Sequence, residues 1–340
     1  MSWYYRPIPR GASSAPDLDH PQPLAGAKAV WFDQVHVQTG PGECETTMVA
    51  ALSDRSLARL SAARPDLCGL TLDRPRIMGI LNVTPDSFSD GGSFTNVTTA
   101  LDHARAMVAD ADILDIGGES TRPGAEEVSV DEEIRRTAPV IRAIREAGIT
   151  TPISIDTRKA AVAEAALDAG ADIVNDVAAF SFDPELAALC AARDVPVCLM
   201  HHKGTPETMQ DDPQYDDVLG EVLDFLTDRI EYAVEQGVKR ERIITDPGIG
   251  FGKTQAHNIA LLQNLSAFHD LGLPVLLGAS RKRFIGAIGG AEAAQDRMAG
   301  SVAVALHGAA QGVQILRVHD TYETAQALRM FMALNSEGAR

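Results

Sequence analysis

The stretch Ile77-Met78-Gly79-Ile80-Leu81-Asn82-Val83 is a short apolar run that ends on a polar residue and leads into a loop. From about Arg76 onward this pattern recurs, and segments with helical periodicity separate the runs. The eight runs are Ile77–Val83, Ile113–Gly117, Pro152–Asp156, Ile173–Asp176, Val195–Met200, Arg242–Asp246, Pro274–Gly278 and Gln314–Val318. Alternating strands and helices predict parallel strands, because each helical crossover returns the chain to the same edge. Eight repeats predict an α/β fold, the (β/α)8 TIM barrel, over residues 76–340.

Residues 1–75 differ in composition from the rest of the chain and lack its regular strand–helix alternation. They predict a separate N-terminal extension. They hold eight of the 18 prolines and both tryptophans. A hairpin is predicted from Ala29–Phe32, through the turn Thr39–Gly42, into Thr46–Val49, followed by a short helix across Ser53–Ala63. The extension could brace the closed end of the barrel, mediate assembly or be the remnant of a fusion. A brace or an oligomer contact is favoured.

Composition and charge exclude several classes of protein. Apolar residues make up 45% and charged residues 23%, which is enough to bury a core and excludes disorder throughout. The net charge is −17, of which residues 1–75 carry −1, so nucleic acid and anionic membranes are not expected partners. There is no run of ~18 apolar residues and no secretory signal. Four cysteines without metal spacing favour reduced thiols and a cytoplasmic setting.

Polar side chains stand at the ends of the predicted strands, where buried parallel strands should be apolar. They are Asn82, Asp115, Asp156, Asn175, Asp176, His201, Asp246, Ser280, Arg281, Lys282, Arg317 and His319. An Asp or Asn in such a place is often only a helix cap. Caps do not explain Lys, Arg and His, because basic residues favour the other end of a helix. All these strand ends meet at one face of a barrel, so the set predicts an active site.

The chemistry of the set points to two kinds of ligand group. Asp156, Asn175, Asp246 and Lys282 combine acceptors, an amide and a cation, which suits a flat heterocycle with several N–H and C=O groups. A phosphate or diphosphate would suit Arg317 and His319 with the hydroxyls of Ser280 and Thr121, and backbone N–H groups of 278–280 could add donors.

Asn82 offers a hard oxygen of the kind that binds Mg²⁺ together with substrate phosphates and water. Considered alone, it reads as a turn residue before Thr84-Pro85.

Two loops carry more chemistry than connectors need. Residues 82–92 join Pro85, Gly91 and Gly92 to the carboxylates Asp86 and Asp90 and to Phe88. Residues 117–124 (Gly-Gly-Glu-Ser-Thr-Arg-Pro-Gly) are similar. We expect both to be lids that close over the substrate and exclude water.

These motifs resemble dihydropteroate synthase, the sulfonamide target of folate synthesis, along residues 76–335. The stretch Ile80–Gly92 resembles the first signature of that family, and Asp115–Gly124 resembles its second. Further similar stretches are Ile155-Asp156-Thr157, Asn175-Asp176, Met200-His201, Asp246–Lys253, Ser280-Arg281-Lys282 and Arg317–Asp320. Arg283 departs from the serine of many relatives, and residues 1–75 have no counterpart in compact members.

The resemblance implies transfer of a dihydropterin-methyl group from its diphosphate to p-aminobenzoate, with Mg²⁺ bound by Asn82. It implies a catalytic set of Asp86, Asp156, Asp246 and Lys282. The implied substrate contacts are Thr121, Arg122, Pro123, Asp156, Asn175, Met200, Asp246, Phe251, Lys282, Arg317 and His319. The path is expected to have SN1 character, because aromatic amines are weak nucleophiles. The resemblance also implies a homodimer through late barrel helices and sensitivity to sulfonamides.

Three alternatives stay open at this point. A corrinoid-system pterin-binding methyltransferase would share the fold and the ring-binding carboxylates. A non-catalytic paralogue could bind pterin and act as a partner subunit through the extension. A Schiff-base aldolase using Lys282 is conceivable from the barrel alone.

Overall fold

The chain folds as an eight-stranded parallel barrel, in a computed structural model that describes residues 4–40, 43–83, 93–120, 127–204 and 209–335. The barrel strands are β7 (Arg76–Asn82), β8 (Ile113–Gly117), β9 (Ile153–Asp156), β10 (Ile173–Asp176), β11 (Val197–Met200), β12 (Ile243–Asp246), β13 (Leu276–Leu277) and β14 (Ile315–Val318). Their order is β12-β11-β10-β9-β8-β7-β14-β13, and a parallel bridge between Thr245 and Val275 joins its two edges. The predicted barrel is confirmed, with five of the eight strands one to three residues shorter than expected.

Helices follow the strands. They are α2 (Ser93–Met107), α3 (Val130–Glu146), α4 (Ala160–Ala169), α5 (Glu185–Arg193), α6 (Val218–Glu235), α7 (Gln255–Gln263), α8 (Arg283–Gly289), α9 (Met298–Ala310) and α10 (Thr321–Asn335). The start of α3 shows why such segments begin where they do. The Ser129 side chain accepts a hydrogen bond from the Glu132 amide, and three acidic residues fill the first turn.

An apolar layer fills the barrel near the beginning of its strands. Seven side chains form it, one from every strand except β9: Met78, Ile113, Ile173, Cys198, Ile244, Leu276 and Ile315. Leu67 and Leu72 of the extension pack against them from below. This floor closes one end of the barrel, so only the opposite end is open to a ligand.

The described part of the extension contains two small antiparallel sheets, one α-helix and three short 3-10 helices. Its strands are β1 (Tyr4–Pro7), β2 (Arg10–Gly11), β3 (Gln22–Pro23), β4 (Val30–Phe32), β5 (Gln34–Gly40) and β6 (Glu43–Met48), and α1 spans Asp54–Ser61. The predicted hairpin was wrong in its first arm. The partner of β6 is β5, whereas β4 pairs with β2 and β3. The wholly apolar run Val30–Phe32 gave the stronger strand signal, whereas Gln34–Gly40 alternates polar residues with two valines.

Contacts of the extension concentrate on the segment Leu265–Leu271, which precedes β13. Asp270 accepts a hydrogen bond from the Tyr5 amide at 3.0 Å and pairs with Arg59 at 2.6 Å. Arg64 donates to the His269 carbonyl at 3.1 Å, and Ser266 donates to the Pro7 carbonyl at 2.7 Å. The extension therefore lies against the closed end of the barrel, as a brace would.

Within the described residues, no helix is both long enough and apolar enough to cross a membrane.

Candidate active site

The predicted ligands share the interior of the barrel for a simple geometric reason. Alternate residues of a strand face the same side, so the residues two positions beyond the floor also point inward. These are Ile80, Asp115, Asn175, Met200, Asp246, Gly278 and Arg317, and Asp156 of β9 lies at the rim above them. Asn82 and Gly117 continue the same faces of β7 and β8. The structure thus brings together side chains that lie as far apart in sequence as Asn82 and Arg317.

Arg317 forms the charged centre of this site. Its Nε donates to Asp115 Oδ2 and its Nη2 donates to Asp156 Oδ2, both at 2.6 Å. Burial raises the pKa of Asp156 despite this guanidinium, and the nearby Asp115 carboxylate adds to the rise. Among the described residues, Asp115 Oδ1 and Asp156 Oδ1 have no hydrogen-bond partner although they are buried. Two acceptor oxygens are therefore left for donors of a ligand.

Lys282 and Asp246 occupy the other side of the site. The Lys282 ammonium donates to the Ile249 carbonyl and lies 4.5 Å from the centre of the Phe251 ring. Burial lowers the pKa of Lys282 to about 8, although Asp246 opposes this effect. Asp246 accepts from the Gly248 amide at 2.7 Å, and burial raises its pKa. The loop after β12 thus holds both charges.

One neighbouring carboxylate and one neighbouring base have structural roles. Asp176 accepts the amides of Ala178 at 2.8 Å and Phe180 at 2.6 Å, so it shapes its own loop. Arg281 pairs with Asp320 instead of facing the site. Asn175 and Met200, by contrast, are buried on the inward face, as predicted.

The two residues predicted to bind a phosphate after β13 and β14, Ser280 and His319, contact each other. His319 Nδ1 lies 3.0 Å from Ser280 Oγ, and the His319 amide donates to the same oxygen at 3.2 Å. Arg317 does not join this pair, because it is held by the two carboxylates described above. The helix α8 begins only at Arg283, which is exposed.

Comparisons with known proteins identify the family to which the chain is similar. The family described as "Pterin binding enzyme" matches residues 78–319. Dihydropteroate synthase of Synechocystis sp. is 48% identical over 262 residues, covering 77% of this chain and 90% of the relative.

Solved structures agree with that match. The Xanthomonas albilineans dihydropteroate synthase with 4-aminobenzoic acid has a TM-score of 0.74 at 49% identity, covering 80% of this chain and 97% of that one. The same organism's enzyme in complex with 7,8-dihydropteroate has a TM-score of 0.71 at 47% identity, covering 78% and 95%.

The chain belongs to the dihydropteroate synthase family. This membership makes it an enzyme of folate biosynthesis and favours the principal reading over the methyltransferase and the non-catalytic paralogue. The family match does not extend into residues 1–75.

Asn82 is the residue expected to bind Mg²⁺ in a dihydropteroate synthase. A Cβ atom added at Gly117 would lie 3.5 Å from Asn82 Oδ1 and 3.7 Å from Asp156 Oδ2, so this amide oxygen sits at the rim beside the buried carboxylate. The described residues contain no group of three or more His, Cys, Asp or Glu that could hold a metal. The Asn82 amide oxygen is a hard donor, which fits Mg²⁺ bound through one protein oxygen and completed by substrate phosphates and water.

Four predicted residues of the dihydropteroate synthase signatures, Asp86, Thr121, Arg122 and Pro123, lie outside the described residues, as does the first loop from Thr84 to Gly92. The base of the second loop is described. Glu119 accepts from the Val128 amide at 2.8 Å and from Lys159 at 3.0 Å, and Lys159 also pairs with Glu133 at 2.8 Å. A buried ion cluster therefore ties the two flanks of that loop to α3 and α4.

The sequence marks Asp115 as a polar residue within a strand but indicates no role for it. Its position inside a buried strand was the available signal, because a carboxylate there needs a partner. Arg317 is that partner. Likewise the Ile249 carbonyl was not foreseen as a contact of Lys282, because backbone acceptors leave no trace in residue type.

Proposed function

We propose that the chain joins 6-hydroxymethyl-7,8-dihydropterin diphosphate to p-aminobenzoate, giving 7,8-dihydropteroate and diphosphate. The observation that carries this proposal is the convergence of buried Asp156, Asn175 and Asp246 with the partly buried Lys282 and Arg317, from five different strand ends. Its acceptors and cations match a heterocycle that presents several donors and acceptors along its edge. Family membership over residues 78–319 supports the same reaction.

The pterin ring is expected to enter where buried acceptors lack partners. Ring N–H groups would donate to Asp156 Oδ1, which has no partner among the described residues. Asp246 and Asn175 would serve further ring atoms, and the Lys282 ammonium would donate to a ring acceptor. Met200 and Phe251 supply apolar contact beside the ring.

The diphosphate would lie toward His319 and Ser280, with Arg317 adding positive charge from the end of the same strand as His319. This placement follows from their position at the ends of β13 and β14. Asn82 would hold Mg²⁺ at the same rim, and the bound ion supplies positive charge beside the departing diphosphate. Thr121 would add a hydroxyl, and Arg122 and Pro123 would frame the aminobenzoate.

The substitution proceeds with SN1 character. The bond between the pterin methylene carbon and the diphosphate oxygen breaks first, and its electron pair leaves with the diphosphate. The aminobenzoate nitrogen then bonds to the methylene carbon and loses a proton. Asp156 and Asp246 stabilise the electron-poor ring between these events. A secondary deuterium isotope effect at the methylene clearly above unity supports this order, and an effect near unity would support concerted displacement.

The function itself is tested by product analysis. Incubation with both substrates and Mg²⁺ is expected to form 7,8-dihydropteroate, detected by mass spectrometry, and chelation of the metal to stop it. Lys282→Ala is the inactive control. A native chain that forms no product would refute the proposal. Borohydride trapping with a carbonyl substrate separates the aldolase alternative and is expected to label nothing.

Assembly as a homodimer through late barrel helices is part of the proposal. Ile288 on α8 and Tyr322, Met330 and Leu334 on α10 are large apolar side chains that are more than half exposed in the single chain. Ile288→Asp is expected to yield monomers in sedimentation experiments. Val234→Asp, at an exposed position on α6, is the matched control. The cytoplasmic setting stays a prediction.

A further inference from the structure

A second buried lysine, Lys253, lies directly behind the site and has no part in the reaction above. It closes the motif Asp246–Lys253 that follows β12, and only 2% of it is exposed. Its ammonium donates to His201 Nδ1 at 2.8 Å, to the Gly248 carbonyl at 2.9 Å and to the Phe251 carbonyl at 3.0 Å. A lysine has three donors, so none remains for a substrate. Lys253 is therefore not a catalytic residue.

His201 is arranged to be the acceptor of this pair. Burial lowers the pKa of Lys253 well below its usual value, and when Lys253 is protonated its ammonium can only donate, so Nδ1 then carries a lone pair and the ring is neutral. Burial lowers the pKa of His201 to about 2, and the nearby Lys253 charge acts in the same direction. The ring packs edge-on against Phe225, and the His201 amide donates to the Asp246 carbonyl at 3.0 Å. The His201 ring is thus held in place by Phe225, and its backbone is held by Asp246.

The loop between Asp246 and Lys253 passes very close to the backbone of the segment after β11. Gly248 and Gly252 have positive φ values of 66° and 63°. A Cβ atom at Gly248 would lie 1.8 Å from the His201 carbonyl oxygen, and one at Gly252 would lie 2.4 Å from the Lys203 carbonyl oxygen. The loop therefore packs tightly against the segment after β11. Lys253 holds it there by donating to two carbonyls of the loop.

The same loop presents the atoms that contact Lys282. The Ile249 carbonyl accepts from the Lys282 ammonium, and the Phe251 ring lies below it. The carbonyls bound by Lys253 belong to Gly248, which precedes Ile249, and to Phe251 itself. Holding these two carbonyls holds the direction of the Ile249 carbonyl and the tilt of the Phe251 ring.

We propose that Lys253 is a positioning residue that, with neutral His201 as its acceptor, holds the 247–252 loop so that Ile249 and Phe251 place the Lys282 ammonium for the pterin ring. The consequence for pterin rests on the proposed function. The placement of Lys282 does not, because it concerns the unliganded chain.

The test compares Lys253→Met with Arg64→Met in the full chain. Arg64 is a matched control because it is also a buried cation that donates to backbone carbonyls, at Arg59, Ala62 and His269, but at the closed end of the barrel. Both variants lose buried hydrogen bonds and are expected to melt at lower temperature. Only Lys253→Met should disturb Lys282.

The first readout is the NMR signal of the Lys282 ε-methylene, assigned by its absence in Lys282→Arg. In the native chain and in Arg64→Met the Phe251 ring should shift this signal from its usual position. In Lys253→Met the ring-induced shift should be lost. An unchanged Lys282 signal in Lys253→Met would overturn the proposal, whatever the activity of the chain.

The second readout is the affinity for 6-hydroxymethylpterin, measured by its fluorescence well below the melting temperature. Lys253→Met is expected to bind about tenfold more weakly, and Arg64→Met within about twofold of native. Equal affinities for the two variants would contradict the positioning role. A native chain that binds no pterin would instead count against the proposed function and leave the NMR result to decide the placement.

Should Lys253→Met fail to fold, His201→Phe takes its place, because it keeps an aromatic ring against Phe225 and removes the acceptor. Loss of the Lys282 ring shift in His201→Phe supports the proposal, and an unchanged shift overturns it.

Discussion

Arg317 on β14 donates from Nε to Asp115 on β8 at 2.6 Å, across the interior of the barrel and past the intervening strand β7. Asp115 is completely buried, and its pairing sets the direction of the guanidinium that also reaches Asp156. The direction of Arg317 is therefore set by a buried carboxylate whose other oxygen has no partner among the described residues.

Replacing Asp115 with Asn should lower kcat/KM for the pterin substrate by about 10- to 100-fold, because a neutral amide no longer holds Arg317 in register. Steady-state kinetics measure this effect. Asp112→Asn is the matched control, since Asp112 pairs with Arg76 at the closed end of the same strands. Comparable losses in the two variants would show that Asp115 acts only through stability.

The activity should fall as the pH rises through about 8. Burial lowers the pKa of Lys282 to about 8, so the ammonium that donates to the pterin ring is present below this pH and lost above it. The pH profile of kcat/KM for the pterin substrate tests this. Lys282→Arg keeps its charge to much higher pH, so any remaining activity should lack the alkaline limb. A limb of unchanged midpoint in that variant would assign the titration to another group.

Ser280→Ala should weaken binding of the diphosphate-bearing substrate about fivefold, because the His319 ring loses a hydrogen bond of about 1 kcal/mol that orients it. Isothermal titration can compare this substrate with 6-hydroxymethylpterin, which lacks the diphosphate. The second ligand should bind to the variant as it binds to the native chain. An equal loss for both ligands would place Ser280 at the ring instead.

Removing the Arg64 side chain should destabilise the fold by about 2–4 kcal/mol, because three backbone carbonyls lose their donor at the seam between extension and barrel. Urea unfolding of Arg64→Ala measures the change, and the exposed Arg55→Ala should differ little from native. Stability unchanged in Arg64→Ala would mean that the extension does not brace the barrel.

Much of the site could be predicted because it follows from periodicity. Once the barrel strands were recognised, their polar ends had to meet at one face, and Asp156, Asn175, Asp246 and Arg317 do so. The partner of Arg317 could not be predicted in the same way. A long side chain reaches several residues, and only the packing around it decides that it turns to Asp115 and Asp156.

The first arm of the hairpin failed for a related reason. Val30–Phe32 is wholly apolar and Gln34–Gly40 is largely polar, yet it is the polar strand that pairs with β6, because tertiary pairing sends the two strands to different small sheets. The role of Lys253 was also invisible in the sequence, because its partners are a histidine from another strand end and two backbone carbonyls.

The residue-level account is tested most directly by a crystal structure of this chain with 6-hydroxymethylpterin. The account predicts the ring inside the open end of the barrel, hydrogen-bonded to Asp156, Asn175, Asp246 and Lys282, with a ring donor on the Asp156 oxygen that lacks a partner. A pterin bound anywhere else, or bound there without contact to Asp156 and Lys282, would contradict it.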